Sequence, residues 1–130
     1  MKTRIIITAA LTGMLAVIFG AFGAHALRDR LSVDELEIWK TAVSYQFYHT
    51  IALLFLALAN GLKQDLVNKI YGCFIVGMLF FCGSLYLLST RSLTHIGFSH
   101  IIGPITPIGG LLFIAGWIIL LIAALKRNDA

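Results

Sequence analysis

The chain has 130 residues, of which 59% are hydrophobic and only 12% charged, and its mean hydropathy is +0.92. Soluble domains average about 45–50% apolar and about 25% charged residues, so a water-soluble enzyme or binding domain is excluded and the class is integral membrane protein. The net charge of +4 does not point to nucleic acid, because the ten Lys and Arg residues are scattered in ones and twos and form no stripe able to neutralise several phosphates.

The first apolar run, residues 5–27, follows Lys2 and Arg4 and closes on Ala24-His25-Ala26, in the manner of a cleavable secretory signal. Signal cores run about 7–15 residues. This run exceeds twenty and three more follow it, so it is expected to remain as a first transmembrane helix. Next comes RDRLSVDELEIWK, which carries four of the six acidic residues. Within it, Ser32 and Glu35 have the spacing of a capping box, in which the two side chains satisfy free backbone donors at a helix start. The turns from Leu36 to Val43 are expected to form a short amphipathic helix at the interface, with Trp39, Tyr45 and Tyr48 as anchors at headgroup depth.

The second apolar run covers about residues 43–62, and the third, after KQDLVNK, covers 70–90. Cys73 and Cys82 in the third run are nine residues apart, about 13 Å along a helix, too far for a disulfide. The loop RSLTHIGFSHIIGPIT leads to the fourth run, 107–125. Thr106 and Pro107 read there as an N-cap and first-turn proline that open the last helix, and Gly103-Pro104 as a break before it. None of the four runs contains Asp, Glu, Lys or Arg, and each is long enough to cross about 30 Å of hydrocarbon at 1.5 Å per residue. Backbone groups cannot go unpaired in lipid, so these runs must be helices. Lys and Arg number six on the side of the two termini and the middle loop, and four on the other. Both termini are therefore expected in the cytoplasm.

With that topology, all four histidines fall near the far face: His25 at the end of span one, His49 one or two turns inside span two, His95 and His100 in the third loop. His25, Tyr45, Gln46, His49 and Arg91 are the candidate ligand cluster, since imidazole binds metals and titrates near neutrality. The competing reading has His25 and His49 hydrogen-bonded to backbone, Tyr or Gln, tying spans one and two together. The five-residue spacing of His95 and His100 does not match a helical metal pair, and no cysteine or carboxylate joins at ligand spacing. Small residues form a second pattern. Ala9, Gly13, Ala16, Gly20 and Ala24 recur at steps of three and four, with Gly23 beside them; Cys73, Gly77, Gly83 and Ser84 mark span three, and Gly109, Gly110 and Gly116 span four. Such stripes let helix backbones approach closely in lipid, where no hydrophobic force acts between helices. No serine elbow, zinc-protease helix or phosphate loop is present, no catalytic residue stands out, and no apolar run carries the mid-membrane carboxylate or basic residue usual in secondary transporters and proton pumps.

GAFGAHAL (20–27), TAVSYQFYH (41–49), GSLYLL (83–88), ITPIGG (105–110) and GW (116–117) together resemble a family of small inner-membrane proteins represented by bacterial YgdD and YwdK, with eukaryotic relatives. The resemblance covers nearly the whole chain. It implies a four-helix membrane protein with a retained first helix, and it brings no substrate, cofactor or catalytic residue with it. The segment TRSLTHIGFSHIIGPI is longer than that family's pattern, which sets His95 and His100 partly outside the shared motifs.

The expected fold is all-α: an integral membrane four-helix bundle, one domain, with a short amphipathic interfacial helix after span one. The expected role is non-enzymatic, in membrane integrity or in binding other membrane proteins or itself within the lipid bilayer of the inner membrane, without cofactor or nucleic acid. The alternative is a haem, metal or quinone site at the outer-rim cluster, and a third reading is conduction of a small solute.

Overall fold

A computed structural model describes residues 2–95, 97 and 99–127 of the chain. Six α-helical segments follow one another: α1 (Lys2–His25), α2 (Val33–Leu58), α3 (Gln64–Gly77), α4 (Gly83–Ser89), α5 (Arg91–Thr94) and α6 (Ser99–Leu125). A five-residue π-helical turn, Met78–Cys82, joins α3 to α4 without a break. The described residues contain four helices long and apolar enough to cross a membrane: Lys2–His25, Val33–Leu58, Gln64–Ser89 and His100–Leu125. The all-helical bundle expected from the sequence is the architecture observed.

The amphipathic turns after span one are not a separate element. Ser32 caps α2, its Oγ accepting from the Glu35 backbone N–H at 3.2 Å while Glu35 Oε1 accepts from the Ser32 N–H at 3.3 Å. From that capping box one helix runs without interruption to Leu58. Trp39 is not an interfacial anchor either. It is 6% exposed, donates its indole N–H to the Phe19 carbonyl at 2.8 Å, and packs edge-on against Phe19 and close to Tyr86.

The last helix also begins earlier than the Thr106-Pro107 signal indicated. It starts at Ser99 and carries Pro104 and Pro107 in its interior. Each proline removes one backbone bond, to the carbonyl four residues before it. Both prolines are exposed, on the outer side of the helix. Thr106 does not cap: its hydroxyl pairs with that of Ser84 on α4.

The chain packs as two antiparallel hairpins, α1 with α2 and α3 with α6, joined where α2 lies along the π-turn and α4. Along the first hairpin, Lys2 donates to Asn60 at 2.9 Å, and Cβ positions at Gly13, Gly20 and Gly23 face Thr50, Val43 and Trp39 in turn. This register gives a depth scale. Thr50 is level with the middle of α1, and Trp39 with its far end. Gly109 meets the backbone of Phe81 in the π-turn, Gly110 lies over the Phe81 ring, Gly77 faces Phe113, and Gly116 faces Phe74. Two small-residue expectations fail. A Cβ at Gly83 would meet nothing within 4 Å, and Ala24 is exposed, with Gly23 holding the contact instead. The extra residue of the π-turn shifts the face that α4 presents, which carries Gly83 off the α6 side.

Candidate functional site

Besides the Ser84–Thr106 pair, two hydrogen-bonded junctions tie the helices together among the described residues. The first centres on His49, which is 4% exposed. Its Nε2 lies 3.1 Å from the Trp117 indole nitrogen and its Nδ1 lies 2.7 Å from the Tyr45 carbonyl oxygen. An indole N–H can only donate, so Nε2 must accept, and the ring proton sits on Nδ1, donated to the Tyr45 carbonyl. The imidazole stacks on Phe113 with centroids 3.6 Å apart and meets Phe74 edge-on at 5.1 Å. Both ring nitrogens are occupied and both faces are covered. His49 fixes α2 to α6.

The second junction centres on Gln46, 6% exposed. Its Nε2 donates to the Thr12 carbonyl at 2.8 Å and its Oε1 accepts the Tyr86 hydroxyl at 2.7 Å, so one amide joins α1, α2 and α4. Beside it, the Thr12 and Thr50 hydroxyls pair at 2.8 Å, as do those of Thr8 and Tyr71. These bonds form a polar seam along α1, reaching α2 through Thr12 and α3 through Thr8, where each partner would otherwise face hydrocarbon alone.

The five-residue cluster expected at the outer rim is not assembled. His49 and Gln46 lie near mid-depth: His49 precedes Thr50, which faces Gly13 in the middle of α1. His25 ends α1, level with Trp39, which is ten residues or about 15 Å along α2 from His49. The two imidazoles do not share a pocket. Tyr45 contributes its backbone carbonyl to His49, while its ring packs on Phe81 at 4.7 Å. Arg91 is exposed and donates to the Leu88 carbonyl at 2.8 Å, closing the end of α4. His25, His95 and His100 are exposed at the end of the bundle away from the termini. Among the described residues no group of three or more His, Cys, Asp or Glu side chains could hold a metal ion. Cys73 and Cys82 are both free thiols.

Sequence reading identified His49 and Gln46 but missed their partners Trp117, Thr12 and Tyr86. A signal was available. Tyr86 falls within GSLYLL and Trp117 within GW, polar-tipped aromatics inside apolar runs that need an internal partner in lipid.

A cleft of about 240 Å³ opens between α1 and the π-turn. Its walls are Leu15, Phe19, Ile75, Met78, Leu79 and Cys82, with Thr8, Thr12, Gln46, Gly83 and Tyr86 completing the lining. The π-turn supplies three of these residues, and the unfilled space over Gly83 adjoins it. Such turns are often found at functional sites.

Comparison with known proteins places these features in a family. The model of a family described as "Protein of unknown function (DUF423)" matches residues 19–110. A UPF0382 membrane protein of Staphylococcus epidermidis is 48% identical over 121 residues, covering 93% of this chain and 94% of its own length. UPF0382 membrane protein SSP2132 of Staphylococcus saprophyticus is 46% identical over 121 residues, covering 93% and 96%. SH2409 of Staphylococcus haemolyticus is likewise 46% identical, covering 93% and 94%. No solved structure matches the chain.

Proposed function

This chain belongs to the DUF423 family of membrane proteins, and we propose that it works without catalysing a reaction, by supporting the envelope or by binding other membrane proteins. The observation that carries this reading is the state of His49. The one histidine inside the bundle donates through Nδ1, accepts through Nε2 and is stacked on Phe113, so no lone pair is left for a ligand and no face for a substrate. The proposal places the chain in the cytoplasmic membrane with both termini inside, on the six-to-four distribution of Lys and Arg, and includes kinship with bacterial YgdD and YwdK.

Deletion of the gene tests it. The expected result is altered membrane permeability or potential, restored both by the wild-type chain and by His49→Gln, whose amide oxygen can still accept from Trp117. Unchanged permeability, potential and co-purifying proteins would overturn the reading. So would a purified protein that carries a stoichiometric metal, a Soret band or a quinone that His49→Gln removes.

The cleft beside the π-turn supports a second reading, in which the acyl or isoprenoid tail of a single molecule lies against its apolar walls. Mass spectrometry of protein transferred from native membranes into nanodiscs of one synthetic lipid would reveal a retained native molecule. Replacing Gly83 with Leu, to fill the cleft, should abolish its retention.

A further inference from the structure

We infer that the outward face of α2 binds a second copy of this chain, so that the protein is a dimer in the membrane. This rests on the reading that the chain acts through protein contacts in the bilayer, and it names the partner.

Six polar side chains line one shallow groove along that face: Glu37, Lys40, Thr41, Ser44, Tyr45 and Tyr48. They recur at steps of three and four, so they form one continuous stripe on a helix. The stripe lies on the surface of the bundle: Tyr48 is 59% exposed, and Tyr45, whose ring also packs on Phe81, is 38% exposed. The depth scale shows where it runs. Trp39 is level with Gly23 near the end of α1, and Thr50 is level with Gly13 in its middle. Glu37 and Lys40 therefore lie at the membrane surface, and Tyr48, two residues before Thr50, lies near the midplane. From Glu37 to Tyr48 the stripe descends about 16 Å at 1.5 Å per residue.

The hydroxyl of Thr41 bonds the Glu37 carbonyl on its own helix. Those of Ser44, Tyr45 and Tyr48 make no hydrogen bond among the described residues, and neither Glu37 nor Lys40 makes an ion pair there. Hydrocarbon offers neither donor nor acceptor, and the Tyr48 hydroxyl is too deep to reach the headgroups. By contrast, the polar groups of Thr12, Gln46, His49, Thr50 and Tyr86 on the inner faces of the bundle each have a partner. The outer stripe lacks the polar protein surface that would complete it.

The charges identify that surface as the same stripe on another copy. A carboxylate and an ammonium stand three residues apart on one face. Two copies related by a twofold axis along the membrane normal put equivalent residues at equal depth, so each Glu37 stands about 4.5 Å above the partner's Lys40, within reach of its long side chain, and the hydroxyls of Ser44, Tyr45 and Tyr48 come together below them. A helix with only one sign of charge would repel its copy.

The test uses the full chain in native membranes, with Ser44→Cys as the reporter and its natural cysteines kept. Mild oxidation should yield a disulfide-linked dimer, and the yield should be unchanged when the membranes are first diluted by fusion with excess lipid and then oxidised. Wild type and Leu111→Cys, on the lipid face of α6, should stay monomeric. In the reporter background, Glu37→Lys or Lys40→Glu alone should cut the dimer at least fivefold, and co-expressing the two charge variants should restore a mixed dimer. A monomeric Ser44→Cys chain overturns the inference, as does dimer yield indifferent to charge reversal. If Ser44→Cys links only to a different protein, the second copy is ruled out while the reading of the chain as an interaction protein stands. If it links to nothing and gene deletion has no effect, both fall.

Discussion

Gly109 lies against the backbone of Phe81 so closely that a Cβ would overlap both its amide nitrogen and its Cα. This contact seats α6 on the π-turn, and a neighbouring backbone cannot move aside as a flexible side chain can. Gly109→Ala should therefore destabilise the bundle by about 1–3 kcal/mol, the range for overpacking a close contact. Gly83→Ala should change stability by less than about 1 kcal/mol, toward greater stability, because alanine is the better helix former and the space is open. Thermal unfolding of the two variants in the same detergent checks the contrast; equal losses would show that the π-turn does not set the spacing between α4 and α6.

The bond from Trp117 to His49 should be worth about 1 kcal/mol, within the range for hydrogen bonds between transmembrane helices. Trp117→Phe leaves Nε2 of the imidazole without a donor, and His49→Leu leaves the indole without an acceptor. A double-mutant cycle on unfolding free energy should show that coupling. Strict additivity would mean the two rings are merely neighbours.

Tyr86→Phe removes the donor to Gln46 Oε1 at the point where α1, α2 and α4 meet, and should cost about 1 kcal/mol. Tyr48→Phe is the control. Its hydroxyl has no partner among the described residues, so unfolding of the detergent-solubilised monomer should not change. A loss in the control equal to that in Tyr86→Phe would contradict the seam.

Pro107→Ala should leave the helix in place and supply a new N–H directed at the Gly103 carbonyl. Hydrogen exchange at that amide should be as slow as at its neighbours in α6. Rapid exchange would place position 107 in the first turn, where backbone N–H groups have no helical acceptor.

The outline of the fold was legible because lipid permits few alternatives. Long uncharged runs such as residues 5–27 can only be helices there, and the Ser32–Glu35 box is local chemistry that needs no tertiary partner. The site was legible only in part. Gln46 and His49 stood out as polar residues in apolar surroundings, but their partners lie 34 to 68 residues away in the chain. Thr106-Pro107 misled because the same pair suits a helix start and a helix interior, and its hydroxyl's bond to Ser84 settled which.

By itself, the sequence determined that this is a membrane protein of four helical rods, since apolar length and missing charge decide how a chain partitions into lipid. The tertiary structure decided how deep each polar group lies and what it touches. It put His49 near mid-depth against Trp117, set Gly109 rather than Gly83 at the close contact, and left Tyr45 and Tyr48 exposed at the surface of the bundle. Those outcomes depend on which helices become neighbours and on one extra residue in the π-turn, and neither is encoded in the periodicity of any single segment.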